Sequence, residues 1–307
     1  MSEFTKIYYK MIDIERNIYE KADLYNQIRK SPKSFLDILE DPYSGENLTI
    51  KDNVLNGKNE YEIFENVPNF TNSKINSKNW KNLNEQFLNY HRSLNVYTLI
   101  NNAPINTFLS LDSGIGKLKN KKVLDVGGGT GHTLATFFQF PETIDYFLLD
   151  PNLRLLHDHF IRLYPKLTYL EISHILGQAE YLPIKKNSFD IVLSISAVDH
   201  LDDFNKFIKE AFRVLKNGGN FLISSHFDVP PSDQDKTKTI NKIFSLSAFE
   251  RLVRYLYYKS FKVGKDDHTI HLDNLKPIEK SIINAGFKII KQVIYKRYFY
   301  FLCEKQY

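Results

Sequence analysis

The sequence predicts an α/β protein: a doubly wound, mostly parallel sheet with an antiparallel hairpin at its C-terminal edge, preceded by a small N-terminal helix and a β module. Three observations predict it. From residue 121 onward, short apolar stretches alternate with helical ones, and strands joined by helical crossovers run parallel in one sheet. The first of these strands runs straight into four glycines in VLDVGGGTGH, residues 123–132. Glycine costs backbone entropy inside an element, so such a cluster marks a sharp turn or the close approach of another surface. Finally, GFKIIKQVIYKRYFYFLCEK holds two strand-like halves with no helix between them, which makes them an antiparallel pair at the sheet edge.

The elements follow in order. Over residues 5–30, Ile7, Met11, Ile14, Ile18, Tyr25 and Ile28 recur at helical spacing, a stripe that suits docking on the protein's own body or a short coiled coil. Ser31 and Pro32 interrupt it. Residues 31–74 read as short β pieces with turn signals, and Asn56 followed by Gly57 suits a tight hairpin turn. About forty residues are too few to be robust alone. Residues 74–106 are polar and Asn-rich, with Phe87, Tyr90, Leu94, Tyr97 and Ile100 at helical spacing. Then come KKVLDVG, a helix from about Thr133, DYFLLD, a helix over 153–164, LTYLEIS, FDIVLSIS, a helix over 203–215, and GNFLISS. The expected divisions are 1–30, 31–74 and 75–307.

Composition narrows the functional classes. The chain has 307 residues and a formal charge of +5, an excess compatible with an anionic partner but too mild to demand nucleic acid. The single cysteine, Cys303, rules out a disulfide framework or a cysteine zinc site within one chain. Its apolar strand predicts a buried, inert thiol. No apolar run reaches the length of a membrane span, and the N-terminus lacks the features of a secretory signal. A cytoplasmic protein, monomeric or homodimeric, is the expectation.

Three ligand classes use a glycine-rich turn between strand and helix. The phosphate loop fails, because His132 stands where its second glycine should be and no Lys-Ser/Thr pair follows. The dinucleotide fingerprint fits at Gly127 and Gly129 but meets His132 at its third glycine. What fits is Asp125, Gly127, Gly129 and Gly131 at alternate positions. This resembles motif I of the class I S-adenosylmethionine (SAM)-dependent methyltransferases, with a type 11-like core. Three neighbours strengthen the likeness. Asp150 closes the next strand, 19 residues beyond Gly131, where an acid accepts from ribose hydroxyls; capping a following helix is its alternative. GQAEYLPIKKNSFDIVLS resembles the family run after the third strand, with Gln178 in place of an Asp. RVLKNGGNFLIS resembles the family's helix end, glycine turn and fifth strand, with Asn217 in place of a Pro.

The resemblance implies a seven-stranded Rossmann-like sheet that binds SAM. It carries Asp125, Gly127, Gly128, Gly129, Gly131, Asp150, Pro151, Gln178, Ala179 and Ser196 over as cofactor-binding residues, with Glu180 a further candidate by position. Asp125 is expected chiefly to order the loop, and Asp190 to serve local structure. Catalytic residues stay unassigned, with Asp199, His200 and His226 as candidates after the fourth and fifth strands. His226, Asp228, His268 and His271 make a metal site conceivable, but their spacing matches no metal motif; a hydrogen-bonded loop closing over substrate is the expectation, and no metal is expected. Residues 31–74 resemble the zinc-ribbon-like module that precedes some methyltransferases, with Asp41 and Ser44 where the cysteines of its first knuckle would stand; that implies a module held by docking. The acceptor is expected to be a small molecule. Ribosomal or transfer RNA is the rival, suggested by 12 Lys and Arg against 5 Asp and Glu over 251–307 with interleaved aromatics. A scaffold without catalysis is a third reading.

Overall fold

The computed structural model describes residues 30–71, 120–129, 144–151, 172–226, 275–295 and 298–307. Nearly all of the expected N-terminal helix, the helical face over 87–100, the helices near Thr133 and over 153–164, Gly131, Asp228, His268 and His271 lie outside the described residues.

A seven-stranded sheet forms the centre. In chain order its strands are β5 (Lys122–Val126), β6 (Asp145–Asp150), β7 (Ser173–Leu176), β8 (Phe189–Ile195), β9 (Leu215–His226), β10 (Phe287–Tyr295) and β11 (Tyr298–Lys305). Their spatial order is β10-β11-β9-β8-β5-β6-β7. β5 to β9 pair in parallel, while β11 runs antiparallel to β9 and β10 antiparallel to β11. This is the expected doubly wound sheet with its terminal hairpin. β5, β6 and β7 step outward on one side; the chain then returns to lay β8 on the other side of β5. The carboxyl ends of β5 and β8 therefore flank the switch point, where open α/β sheets bind ligands.

The inner strands are apolar because both faces are covered. Val123, Leu124, Phe147, Leu148, Val192 and Leu193 are buried. Helix α1 (Phe204–Val214) starts at Asp203, whose side chain accepts from Lys206 N at 3.0 Å. It buries Phe207, Ile208, Ala211 and Val214 along one face. A second helix, α2 (Lys276–Asn284), opens on Pro277 and buries Ile278 and Ile282. Cys303 is buried on β11, and desolvation pushes its thiol up to about 12.

β7 takes in Ser173, the last residue of the expected strand LTYLEIS; residues 167–171 of that strand lie outside the described residues. Ser173 and His174 are polar, yet both are buried within the sheet, paired with Phe147 and Leu148. The strand therefore ends at Leu176, directly before the turn at Gly177.

The N-terminal module is a 3-10 helix (Pro32–Ile38) followed by an antiparallel meander of β1 (Thr49–Lys51), β2 (Val54–Asn56), β3 (Glu60–Phe64) and β4 (Val67–Pro68). Its tightest turns are not at Asn56 and Gly57. They are at Asp52 and Asn53, and at Glu65 and Asn66, where both residues of each pair have positive φ. Three residues instead link β2 to β3, and a Cβ on Gly57 would lie 2.7 Å from Leu48.

The likeness to a zinc ribbon is not supported. Among the described residues no three His, Cys, Asp or Glu side chains gather as metal ligands. The Asp41 carboxylate does the joining. It accepts from the amides of Tyr43 (2.9 Å) and Ser44 (3.0 Å) with one oxygen, and from Asn59 N (3.1 Å) and Nδ2 (3.0 Å) with the other. The module shares the core of the sheet: Phe35 meets Phe147 edge-on at 5.5 Å, and Phe147 meets Phe189 at 5.0 Å.

Candidate cofactor site

The site is built on the turn after β5. Gly127 and Gly129 have φ of +70° and +52°, a region that L side chains enter only with strain. Each glycine also meets a different environment. A Cβ on Gly127 would stand 2.5 Å from the Ala197 Cβ, so the loop after β8 packs directly on the turn. One on Gly128 would press on the Asp125 carboxylate at 2.8 Å. One on Gly129 would meet nothing within 4 Å among the described residues. Among the described residues the turn is thus closed at Gly127 and Gly128 and open at Gly129.

Backbone bonds hold it against β6. Gly127 N donates to Leu149 O at 2.8 Å, and Gly129 N donates to Asp150 Oδ2 at 2.9 Å. Asp150 is 5% exposed at the carboxyl end of β6, and Gly127, Gly129, Pro151 and Gln178 around it are half-buried. The carboxylate therefore faces the glycine turn rather than away from it.

Asp125 lies beneath. It is wholly buried and accepts a hydrogen bond from Tyr146 Oη on β6. Burial, and then the Asp125 charge, push the Tyr146 hydroxyl well above its ordinary value. Tyr146, which sequence reasoning passed over as one more apolar strand residue, thus holds the Asp125 carboxylate beneath the turn. Asp190 serves local structure, accepting from Lys122 N at 2.9 Å and Lys216 Nζ at 3.1 Å.

Residues 177–180 follow β7. Gln178 is half-buried and Ala179 buried. Glu180 is turned toward α1, its Oε1 accepting from the amides of Asp202 (2.9 Å) and Asp203 (3.3 Å). Burial raises its carboxyl, against those amides. Its bonds set it apart from Gln178 and Ala179.

After β8, Ser196 is exposed with φ +55°, and its N–H donates to Ser224 O at 2.8 Å. Asp199 is buried and accepts from Ser225 Oγ at 3.0 Å, while His200 Nε2 stands 3.7 Å from its other oxygen. His226 ends β9 opposite Tyr298. Asp199, His200 and Ser225 therefore gather at the carboxyl ends of β8 and β9.

The strand, the turn and the loops up to β9 form one continuous segment, and that segment has relatives. Residues 124–223 match the methyltransferase domain family. The chain is 35% identical over 109 residues to the ubiquinone/menaquinone biosynthesis C-methyltransferase UbiE of Haemophilus ducreyi, covering 35% of this chain and 42% of that protein. It is 41% identical over 66 residues to ajmaline N-methyltransferase of Rauvolfia serpentina, covering 21% of this chain and 23% of that protein. The chain spans less than half the length of these curated relatives. Among solved structures it is similar to a SAM dependent methyltransferase from Aquifex aeolicus, at 14% identity and a TM-score of 0.48, covering 68% of this chain and 95% of that one. The methyltransferase domain match takes in Gly127, Gly128, Gly129, Asp150, Gln178, Ala179 and Ser196 together. No helix among the described residues is long and apolar enough to cross a membrane.

Proposed function

We propose that the chain is a SAM-dependent methyltransferase acting on a small-molecule acceptor. The observation that carries this reading is the turn at Gly129, bonded through its N–H to the Asp150 carboxylate and open at its Cα among the described residues, at the switch point of a domain matched to methyltransferases. The residues suit the cofactor: a bare backbone for its tail and sugar, a carboxylate for ribose hydroxyls, and Gln178 and Ala179 beside the base. A Gln carbonyl still accepts from an adenine amino group, though without charge.

SAM supplies a sulfonium-bound methyl group. The chain's part is to hold donor and acceptor in line and to exclude water, and positioning alone lowers such barriers by up to roughly 7–11 kcal/mol in favourable cases. Asp199, fixed by Ser225, and His200 beside it are the candidates for taking a proton from an alcohol or amine acceptor.

Two observations support a small acceptor over RNA. The relatives named above are, by their names, a C-methyltransferase of ubiquinone/menaquinone biosynthesis and an ajmaline N-methyltransferase. Residues 31–71 hold 3 Lys against 8 Asp and Glu, a balance that repels a phosphate backbone. The test is transfer of labelled methyl from SAM to a panel of quinols, phenols and amines, with bulk RNA as the rival acceptor. Label in a small molecule is expected. Label in RNA alone would overturn the acceptor class, and turnover of SAM with none of them would leave the panel too narrow and call for wider small-molecule classes.

A further inference from the structure

The loop at residues 177–185 carries Gln178 and Ala179, and the N-terminal module grips it at both ends. At its start, Phe70 N donates to Leu176 O at 2.8 Å, and Asn69 bridges Leu176 in parallel, covering the outer edge of β7. At its end, Glu40 N donates to Pro183 O at 3.2 Å, Leu39 bridges Ile184, and Lys185 N donates to Ile38 O at 2.8 Å.

Arg213 of α1 closes the grip from the other side. Its Nη1 donates to Ile184 O at 2.6 Å and its Nη2 to Leu182 O at 3.0 Å. The same guanidinium bonds Glu40 Oε1 at 2.6 Å and Glu210 Oε2 at 2.7 Å. Glu210 Oε2 in turn accepts from Leu182 N at 3.0 Å. One planar fork thus ties module, loop and helix together, a geometry that an ammonium group does not reproduce.

We infer that Glu40 is a positioning residue for the base of the cofactor: through Arg213 it fixes the shape of the loop that faces the base, so the β module sets nucleoside affinity and selectivity from outside the site. The inference rests on the SAM reading above. Glu40 itself touches no ligand. A loop ordered in advance spares the ligand the entropy of ordering it, and a loop with slack discriminates less between bases. Leu182 and Ile184 are wholly buried, so apolar packing keeps the loop attached when the ion pair is lost, and what changes is its fine position.

The test uses the full chain and two probes, S-adenosylhomocysteine and its inosine counterpart, which lacks the adenine amino group. Calorimetry gives a Kd for each with wild type, Glu40→Ala and Glu40→Gln, beside ligand-free thermal unfolding. Wild type is expected to prefer adenine. Glu40→Ala is expected to raise the Kd for S-adenosylhomocysteine by about 3- to 10-fold and to narrow the preference, while Glu40→Gln, which keeps an oxygen for Arg213, restores most of both. If Glu40→Ala does not fold, Glu40→Asp decides by the same two numbers, since its shorter arm withdraws the oxygen from the fork. A wild type indifferent to the base, or a variant unchanged in both numbers, overturns the inference. A folded wild type that binds neither probe overturns the SAM reading instead.

Discussion

The amide of Gly129 donates to the Asp150 carboxylate at 2.9 Å, from one strand's end to the next. The bond fixes the glycine turn against β6 and holds the carboxylate at the turn's open side. Removing either residue's special feature therefore has a distinct consequence.

Alanine at Gly127 and at Gly129 should separate folding from binding. Gly127→Ala forces a methyl into Ala197 at positive φ and is expected to cost about 2–4 kcal/mol of stability. Gly129→Ala meets no neighbour among the described residues, so it should cost only about 1–2 kcal/mol of stability, while its methyl enters the space assigned to the cofactor and weakens binding. Urea unfolding beside SAM titration checks both; a Gly129→Ala variant that binds like wild type would speak against the open side as the cofactor's place.

Asp41 should make the module acid-sensitive. Burial alone would raise its carboxyl, but the donors on Tyr43, Ser44 and Asn59 overcome that and hold it below its ordinary 3.8. A depressed carboxyl adds stability that is present above pH 3.8 and lost as pH falls through the lower folded value. Asp41→Ala is expected to cost about 2–4 kcal/mol at neutral pH. Asp41→Asn should remove this residue's share of the acid dependence, measured as unfolding midpoints between pH 5 and pH 2.

Cys303 should be silent in the native state. Its thiol is buried and pushed up to about 12, and the thiolate is the reactive form. A thiol reagent at pH 8 is expected to label it only in denaturant. Rapid labelling of the folded protein would contradict its place on β11.

Tyr146→Phe tests how the loop is supported. It removes the hydroxyl that bonds the buried Asp125 carboxylate and is expected to lower stability by about 1–3 kcal/mol. Unfolding by urea with and without SAM checks it, and a variant as stable as wild type would remove Tyr146 from the loop's support.

Much of the sheet was legible because its strands are apolar runs bounded by punctuation: Asp150 ends β6 and Gly127 follows β5 directly. The glycine turn was legible because its spacing repeats. The extension of β7 to Leu176 was not legible because buried His174 carries no apolar signal. Helix α2 went unread although Pro277, Ile278, Ile282 and Gly286 spell a start, a buried face and a stop. What no local pattern carries is pairing at a distance. Glu40 and Arg213 stand 173 positions apart, and Tyr146 meets Asp125 only because β5 and β6 are neighbours. Ala197 at the glycine turn is likewise a product of the switch point.

The central claim is that Gly129 and Asp150 together receive the nucleoside, and calorimetric titration of S-adenosylhomocysteine into wild type and Asp150→Ala tests it most directly. One site per chain is predicted for wild type, weakened by about 1–3 kcal/mol when the carboxylate is removed. Equal affinity in the two proteins, or no binding by a folded wild type, would contradict it.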